Sequence, residues 1–367
     1  MITRLNIGGP ARQALILTRD LRPDFETHLV AGTPPSDEGE LSDPGIDIDR
    51  LALVRPMSPV ADLKAYLQLG GCLKRRRPDL LHTHMAKAGA LARLASLRSG
   101  HRPKVVHTFH GHVLDGYFSD PVQRTFVQLE RFLARRTDAL IAVSDETRDQ
   151  LLSLGIGDER RWHVIPLGFD LSTLLAVDGP SGELRASIGL GTDEPLVGVM
   201  GRLAPIKEHK VLIDAIGRLP GVHLVILGDG ELRSDLQAHV RSAGLSERIH
   251  FVGWRLDIAS VISDIDVMAL TSRNEGTPVS LIEASAAARP VVSTDVGGVR
   301  SVVVDGITGI LVPSGNEAAV ADALARLLGS PDMRRRMGEA GRKHVKDRFA
   351  KDRLVADIKE LYSSLLA

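Results

Sequence analysis

Two glutamates eight positions apart, Glu275 and Glu283, sit in the stretch Thr271–Arg289, TSRNEGTPVSLIEASAAAR. The stretch reads as a strand end, a polar loop carrying Gly276 and Pro278, and a helix of small and apolar residues. Pro278 suits the first turn of a helix, where a missing N–H leaves nothing unpaired. Glu275 then lies on the loop in front of the helix and Glu283 about a turn and a half inside it. A helix start offers unbonded amides and the positive end of a dipole, which together form an anion site. Carboxylates do not bind phosphate, so the pair would hold hydroxyl groups on either side of it. A sugar, a diphosphate and a ribose match that pattern. Two glutamates at this spacing also arise by chance, one as a loop charge and one as a solvated helix residue, so the neighbouring sequence has to decide.

Other groups capable of chemistry follow apolar runs that read as strands. Gly201-Arg202-Leu203-Ala204-Pro205-Ile206-Lys207 comes after Leu196–Met200. A guanidinium grips phosphate through two donors and an ammonium supplies a point charge, so Arg202 and Lys207 point to phosphate; the alternative is a pair of surface cations. His110 follows Val105–Phe109 within HTFHGH. Three histidines in six residues raise a metal site, but His107 and His110 do not share a strand face and no Cys or Glu-x-x-His partner stands nearby. His82 and His84, at i and i+2, line one face of a strand. A polar group facing charge that develops during reaction is the better reading of His110. Gly8-Gly9-Pro10 opens a helix, either as a plain turn or as a place where backbone approaches a ligand. Gly228-Asp229-Gly230 reads as a turn, and Trp254 as either a stacking platform or an ordinary packed residue. No G-x-G-x-x-G follows a strand, which removes the dinucleotide fingerprint and with it a dehydrogenase.

These groups need a scaffold, and the chain supplies a repeating one. Its 367 residues suffice for two domains, and 46 basic against 46 acidic residues leave no global field to favour nucleic acid or anionic membrane. A single cysteine, Cys72, excludes an internal disulfide framework and reads as a small buried residue. No apolar run reaches the ~18 residues that span a bilayer. The first residues, MITRLNIGGPAR, lack the apolar segment of an export signal, so the expected location is the cytoplasm.

Apolar runs at Ile2–Ile7, Glu26–Ala31, Leu51–Val54, Asp79–Thr83, Val105–Phe109, Ala139–Val143 and Trp162–Ile165 read as strands. Helical patterns at Val60–Arg76, Ala86–Arg98, Pro121–Arg135 and Asp145–Leu154 lie between them, the last capped by Ser144. Pro166–Pro195 is dense in glycine and proline and reads as a linker. Alternation resumes at Leu196–Met200, His223–Leu227, Ile249–Val252, Val267–Leu270, Pro290–Thr294 and Gly309–Val312. From Asn316 onward the pattern is helical, with breaks near Pro331 and Phe349. The expectation is α/β throughout: two Rossmann-like, doubly wound parallel-sheet domains facing a central cleft, with ligands outside the carboxyl ends of the strands. The boundaries read as residues 1–170 for a first domain, 171–194 for a flexible linker, 195–350 for a second domain, and 351–367 for a terminal helix. Lys74–Arg77 is a dense basic run, either a solvated helix terminus or a patch that touches anionic lipid heads only weakly.

Taken together, these residues resemble the retaining glycosyltransferases of family 4, which have the GT-B fold. The resemblance spans nearly the whole chain. Its strongest element is E-x7-E, here Glu275 to Glu283, beside GRLAPIK with Arg202 and Lys207, the Gly8-Gly9 loop, FHGH with His110, AVSDETRD at 142–149 and VIPLGFD at 164–170. It implies that Glu283 holds the ribose hydroxyls of a nucleotide-sugar donor. Arg202 and Lys207 would neutralise the diphosphate, with backbone N–H groups along Gly276, Thr277, Pro278, Val279 and Ser280. Glu275 would bind sugar hydroxyls, Gly8 and Gly9 would lie against the donor, and His110 would sit beside the sugar. It also implies catalysis without a metal or other cofactor, transfer from a UDP- or GDP-sugar to a glycan, lipid-linked or small-molecule acceptor, and a terminal helix crossing back to the first domain. Polysaccharide synthesis, with weak peripheral contact at the inner membrane face, follows from HTFHGHVLDGYFS. Two departures stand out. Glu208-His209 occupy the place where glycine usually follows the motif lysine, and the first strand is short. The alternatives are a sugar-nucleotide epimerase or hydrolase of the same fold, told apart by nucleotide release that ignores every acceptor, and a non-catalytic two-lobed sugar-binding protein, told apart by preference for free sugar.

Overall fold

The computed structural model describes residues 1–6, 8–33, 39–54, 56–111 and 120–367. The chain divides into two compact units, residues 1–169 with 351–367, and residues 170–350.

In the first unit, β1 (Ile2–Arg4), β2 (Leu29–Gly32) and β3 (Ile48–Leu51) form a parallel sheet in that order. β4 (Leu80–His84), β5 (Lys104–Phe109), β6 (Ala139–Ala142) and β7 (Trp162–Val164) form a second. The His84 amide donates to the Met1 carbonyl at 2.9 Å and the Met1 ammonium to the His82 carbonyl at 2.7 Å, which sets β1 beside β4. The strand order therefore reverses at the β1/β4 boundary. The helix Asp145–Ser153 begins where its cap requires, with Ser144 Oγ accepting the Thr147 amide at 3.2 Å. Helix Lys351–Leu366 belongs to this unit: Leu354, Ile358 and Leu361, spaced at one helical face, pack on Leu17, Val106 and Ile141.

The second unit holds one parallel sheet, in the order β10-β9-β8-β11-β12-β13. Its strands are β8 (Leu196–Met200), β9 (His223–Leu227), β10 (Ile249–Gly253), β11 (Val267–Leu270), β12 (Val291–Thr294) and β13 (Gly309–Val312). This is the doubly wound order, and the reversal falls between β8 and β11. Helices cover both faces, so runs such as LVGVM and VMAL are buried nearly end to end.

Three expectations need correcting. β3 is Ile48–Leu51, three residues earlier than the apolar run Leu51–Val54. It is an edge strand in which Arg50 is exposed and Asp49 pairs with Arg76 at 3.0 Å, while Leu53 enters the core from the following loop. Residues 171–194 are not a free linker. They form helices Ser172–Leu175 and Glu183–Ser187 and are tied into the second unit. The Asp264 carboxylate accepts the amides of Gly182 (2.7 Å) and Leu184 (2.8 Å), and Arg185 pairs with Asp266 at 3.0 Å. The glycines there make tight turns rather than slack. Pro278, expected in the first turn of its helix, stands one position before it, as the N-cap.

Candidate functional site

The loops after β8 and β11 leave adjacent strands at the point where the sheet order reverses, which is where a doubly wound sheet opens a crevice. The β8 loop is fixed by Leu203, fully buried, whose amide donates to the Asp229 carbonyl at 3.0 Å and whose carbonyl accepts from Leu232 at 3.0 Å. Gly228-Asp229-Gly230 is thus a structural turn. A Cβ on Gly228 would lie 2.0 Å from the Gly201 carbonyl oxygen, so only glycine lets the two loops meet.

Lys207 and Glu275 come together. Lys207 Nζ donates to Glu275 Oε1 at 2.5 Å, and Ser272 Oγ donates to the same oxygen at 2.6 Å. Both side chains are partly buried, 24% and 11% exposed. Both of these bonds use Oε1 and neither uses Oε2. The loop beneath is held from three sides. The Thr294 hydroxyl donates to the Ser272 carbonyl at 2.6 Å, Thr271 Oγ1 to the Glu208 carbonyl at 3.1 Å, and the Gly298 amide to the Glu275 carbonyl at 2.9 Å. At Gly297 (φ +49°) a Cβ would sit 2.1 Å from that same carbonyl oxygen. Sequence reasoning missed Ser272, Thr294 and Gly297-Gly298. The signal available was a hydroxyl residue at the end of each of two strands and a glycine pair after β12.

The helix Val279–Ala286 begins directly behind this loop. Its first bonds run from Leu281 and Ile282 to the Pro278 carbonyl, so Val279 and Ser280 have no carbonyl in their own helix to bond. Both are partly exposed, as is Gly276. Thr277 is buried, and its Oγ1 has no partner among the described residues. Glu283 is only 6% exposed. A solvated helix glutamate would stand in water; a buried carboxylate costs free energy unless it is engaged.

Arg202 lies on the β8 loop with Nη1 3.9 Å from Glu231 Oε2, a long and partly solvated contact. Glu208 takes the left-handed conformation (φ +45°, ψ +42°), the shape that a glycine after the lysine would provide without strain. Its carboxylate holds Arg273 Nε at 2.7 Å, which ties the β8 loop to the β11 loop. His209 beside it is buried, and burial lowers it to about 4.

In the first unit, Gly8 caps the helix Gly9–Asp20 in extended backbone, and an added Cβ would meet nothing nearer than Pro10 Cδ at 4.0 Å. The protein's own packing does not require glycine there. His110 follows β5, and its Nε2 lies 3.0 Å from His84 Nδ1. Burial lowers His110 to about 3, so it is a neutral imidazole. His112 and the loop after it, through residue 119, lie outside the described residues, as do residues 34–38. Trp254 is 39% exposed and is not a core residue; Cys72 is buried. Among the described residues, no helix is long and apolar enough to cross a membrane.

A lysine–glutamate pair and a helix start thus stand together at the turning point of a parallel sheet. Comparison with known proteins gives the family. Residues 181–344 match the family model "Glycosyl transferases group 1", and residues 8–168 match "Glycosyl transferase 4-like domain". The chain is 32% identical over 303 residues to a D-inositol 3-phosphate glycosyltransferase of Xylanimonas cellulosilytica, covering 78% of this chain and 72% of that one. It is 29% identical over 322 residues to the Escherichia coli UDP-Gal:alpha-D-GlcNAc-diphosphoundecaprenol alpha-1,3-galactosyltransferase, covering 86% and 82%. Its fold matches that of Anabaena HepE in complex with UDP-glucose, with a TM-score of 0.81, 22% identity, and 99% and 98% of the two chains covered. This chain belongs to the family-4 glycosyltransferases of GT-B fold. It is an enzyme that uses a nucleotide-sugar donor, which sets aside the sugar-binding protein without catalysis.

Proposed function

We propose that the chain transfers a hexosyl group from a UDP-sugar to a lipid-linked glycan acceptor, with retention of anomeric configuration and without a metal. The observation that carries the donor half is the Lys207–Glu275 pair at the start of the amide-bearing helix, on the two strands where the sheet order reverses. UDP rather than GDP is favoured because the E. coli relative is named for UDP-Gal and the Anabaena structure holds UDP-glucose. A diphosphoundecaprenol acceptor in the relative's name favours a lipid-linked acceptor here.

When the sugar–phosphate bond breaks, negative charge grows on the diphosphate and positive charge on the sugar ring. Arg202, Lys207 and the amides of Gly276, Thr277, Val279 and Ser280 stabilise the leaving diphosphate. Lys207 moves part of its bonding from Glu275 to phosphate, and Glu275 then accepts sugar hydroxyls. Glu283 takes the ribose hydroxyls, Gly8 and Gly9 let backbone lie against the donor, and His110 meets a sugar hydroxyl. The acceptor attacks the face from which the diphosphate departs, and a phosphate oxygen takes its proton. A cytoplasmic enzyme touching the inner membrane face fits this acceptor. The exposed helix face with Val60, Leu63 and Leu67 beside Lys64, Lys74 and Arg75 supports that contact.

The test is turnover of a UDP-sugar panel with a diphospholipid-linked sugar acceptor, reading UDP release and the anomeric proton coupling of the product. An α-linked product from an α-linked donor, formed in EDTA, is expected. A β-linked product, or UDP release equal with and without acceptor, would overturn the reading; the second result belongs to a hydrolase or epimerase.

A further inference from the structure

We infer that His84 is a positioning residue for His110. It holds the His110 ring through Nε2 and thereby commits His110 Nδ1 to a substrate hydroxyl. The inference rests on the reading that His110 meets the donor sugar. β4 and β5 are paired so that His84 stands opposite Thr108, which places His110 just past the end of its strand, next to the His84 ring. The ring centroids are 5.2 Å apart and the nitrogens 3.0 Å apart. Two neutral imidazoles at this separation share one proton, so the tautomer of one fixes that of the other. His110 Nδ1 is buried and has no partner among the described residues. A buried polar nitrogen without a partner is costly, and a hydroxyl arriving with the substrate removes that cost.

His84 is itself braced. Its ring lies against that of His82, with centroids 4.2 Å apart and the planes tilted by 32°, and His82 bonds Tyr362 Oη at 2.5 Å and Thr108 Oγ1 at 2.7 Å. Tyr362 lies on the helix Lys351–Leu366, so the C-terminal helix locks the row from behind. The next residue, Met85, takes φ +68° and ψ +148°, a conformation that residues bearing a side chain rarely adopt. The strand is thus turned sharply just where His84 must face His110.

The test uses the full chain and four forms: His84→Phe, His84→Asn, His110→Ala, and the double variant His84→Phe/His110→Ala. Each is read by kcat and KM for UDP-sugar, UDP affinity and thermal midpoint. His84→Phe is expected to lower kcat/KM for the sugar donor about tenfold, the worth of one hydrogen bond, with UDP affinity unchanged. Asparagine, whose amide reaches the Nδ1 position, should restore activity to within about threefold. Adding His84→Phe to His110→Ala should cost nothing more. Multiplicative losses in the double variant, or asparagine no better than phenylalanine, would overturn the inference. If His110→Ala alone leaves turnover unchanged, the underlying reading of His110 fails instead. Should His84→Phe not fold, nitrogen-15 spectra of the wild type decide. A coupling across His84 Nδ1 and His110 Nε2 supports the inference, and two uncoupled rings overturn it.

Discussion

At the residue scale, Lys207 and Glu275 form one functional object. On the proposed function Lys207→Ala removes the charge opposite the leaving diphosphate, and it leaves a carboxylate that is 11% exposed with Ser272 Oγ as its neutral donor. Steady-state kinetics should show kcat lower by about 10²–10³-fold, the range for loss of one preorganised donor. The thermal midpoint should fall as well, because a mostly buried carboxylate loses its partner. An unchanged midpoint would mean the ion pair is not held as described. The buried histidines give a separate prediction. His82, His84, His107 and His110 are all lowered by burial, His110 to about 3. Below pH 6.5 the unfolded chain binds protons that the folded chain refuses. Stability is therefore complete above about pH 6.5 and lost as pH falls, by up to ~1.4 kcal/mol per pH unit for each such histidine. Urea unfolding at pH 7.5, 6 and 5 checks the sign; equal stability at all three would contradict the burial.

At the element scale, the sequence displayed nearly every strand, because in a sheet covered on both faces each strand is an uninterrupted apolar run, whereas helices His209–Gly217 and Ile258–Ser263 went unread. Leu196–Met200, His223–Leu227, Val267–Leu270 and Gly309–Val312 were readable to the residue. What could not be read was settled by contacts remote in sequence. Ile48–Leu51 is a strand because β2 pairs with it, despite its charges. Residues 171–194 fold because Asp264, some eighty residues on, caps them. The site showed the same division. The Glu275 and Lys207 side chains were legible as types at a spacing, whereas Ser272, Thr294 and Gly297 matter only through where β12 lies. Glu208 is the instructive departure. Glutamate holds a left-handed turn that costs about 1 kcal/mol relative to glycine, and its bond to Arg273 offsets part of that. Glu208→Gly should leave the thermal midpoint within a few degrees and retain activity. Gly297→Ala, which drives a Cβ into the Glu275 carbonyl, should destabilise and impair donor binding together.

At the whole-molecule scale, the chain carries no net charge, so any attraction to a membrane must be local. Lys64, Lys74, Arg75 and Arg77 gather beside the exposed Val60, Leu63 and Leu67. Sedimentation with vesicles of anionic lipid should capture the protein, and Leu63→Ser/Leu67→Ser with Lys74→Ser/Arg75→Ser should release it while UDP affinity stays the same. Capture unaffected by those changes would place the contact elsewhere. The central claim is the proposal that the second unit binds the paired phosphates of a nucleotide. Calorimetric titration of UDP into wild type and into the Arg202→Ala/Lys207→Ala variant tests it most directly. Wild type should bind, and the variant should bind at least about 100-fold more weakly, about 2.7 kcal/mol, as two charge-assisted contacts to phosphate require. Equal affinity in the two proteins, with both folded, would contradict the account.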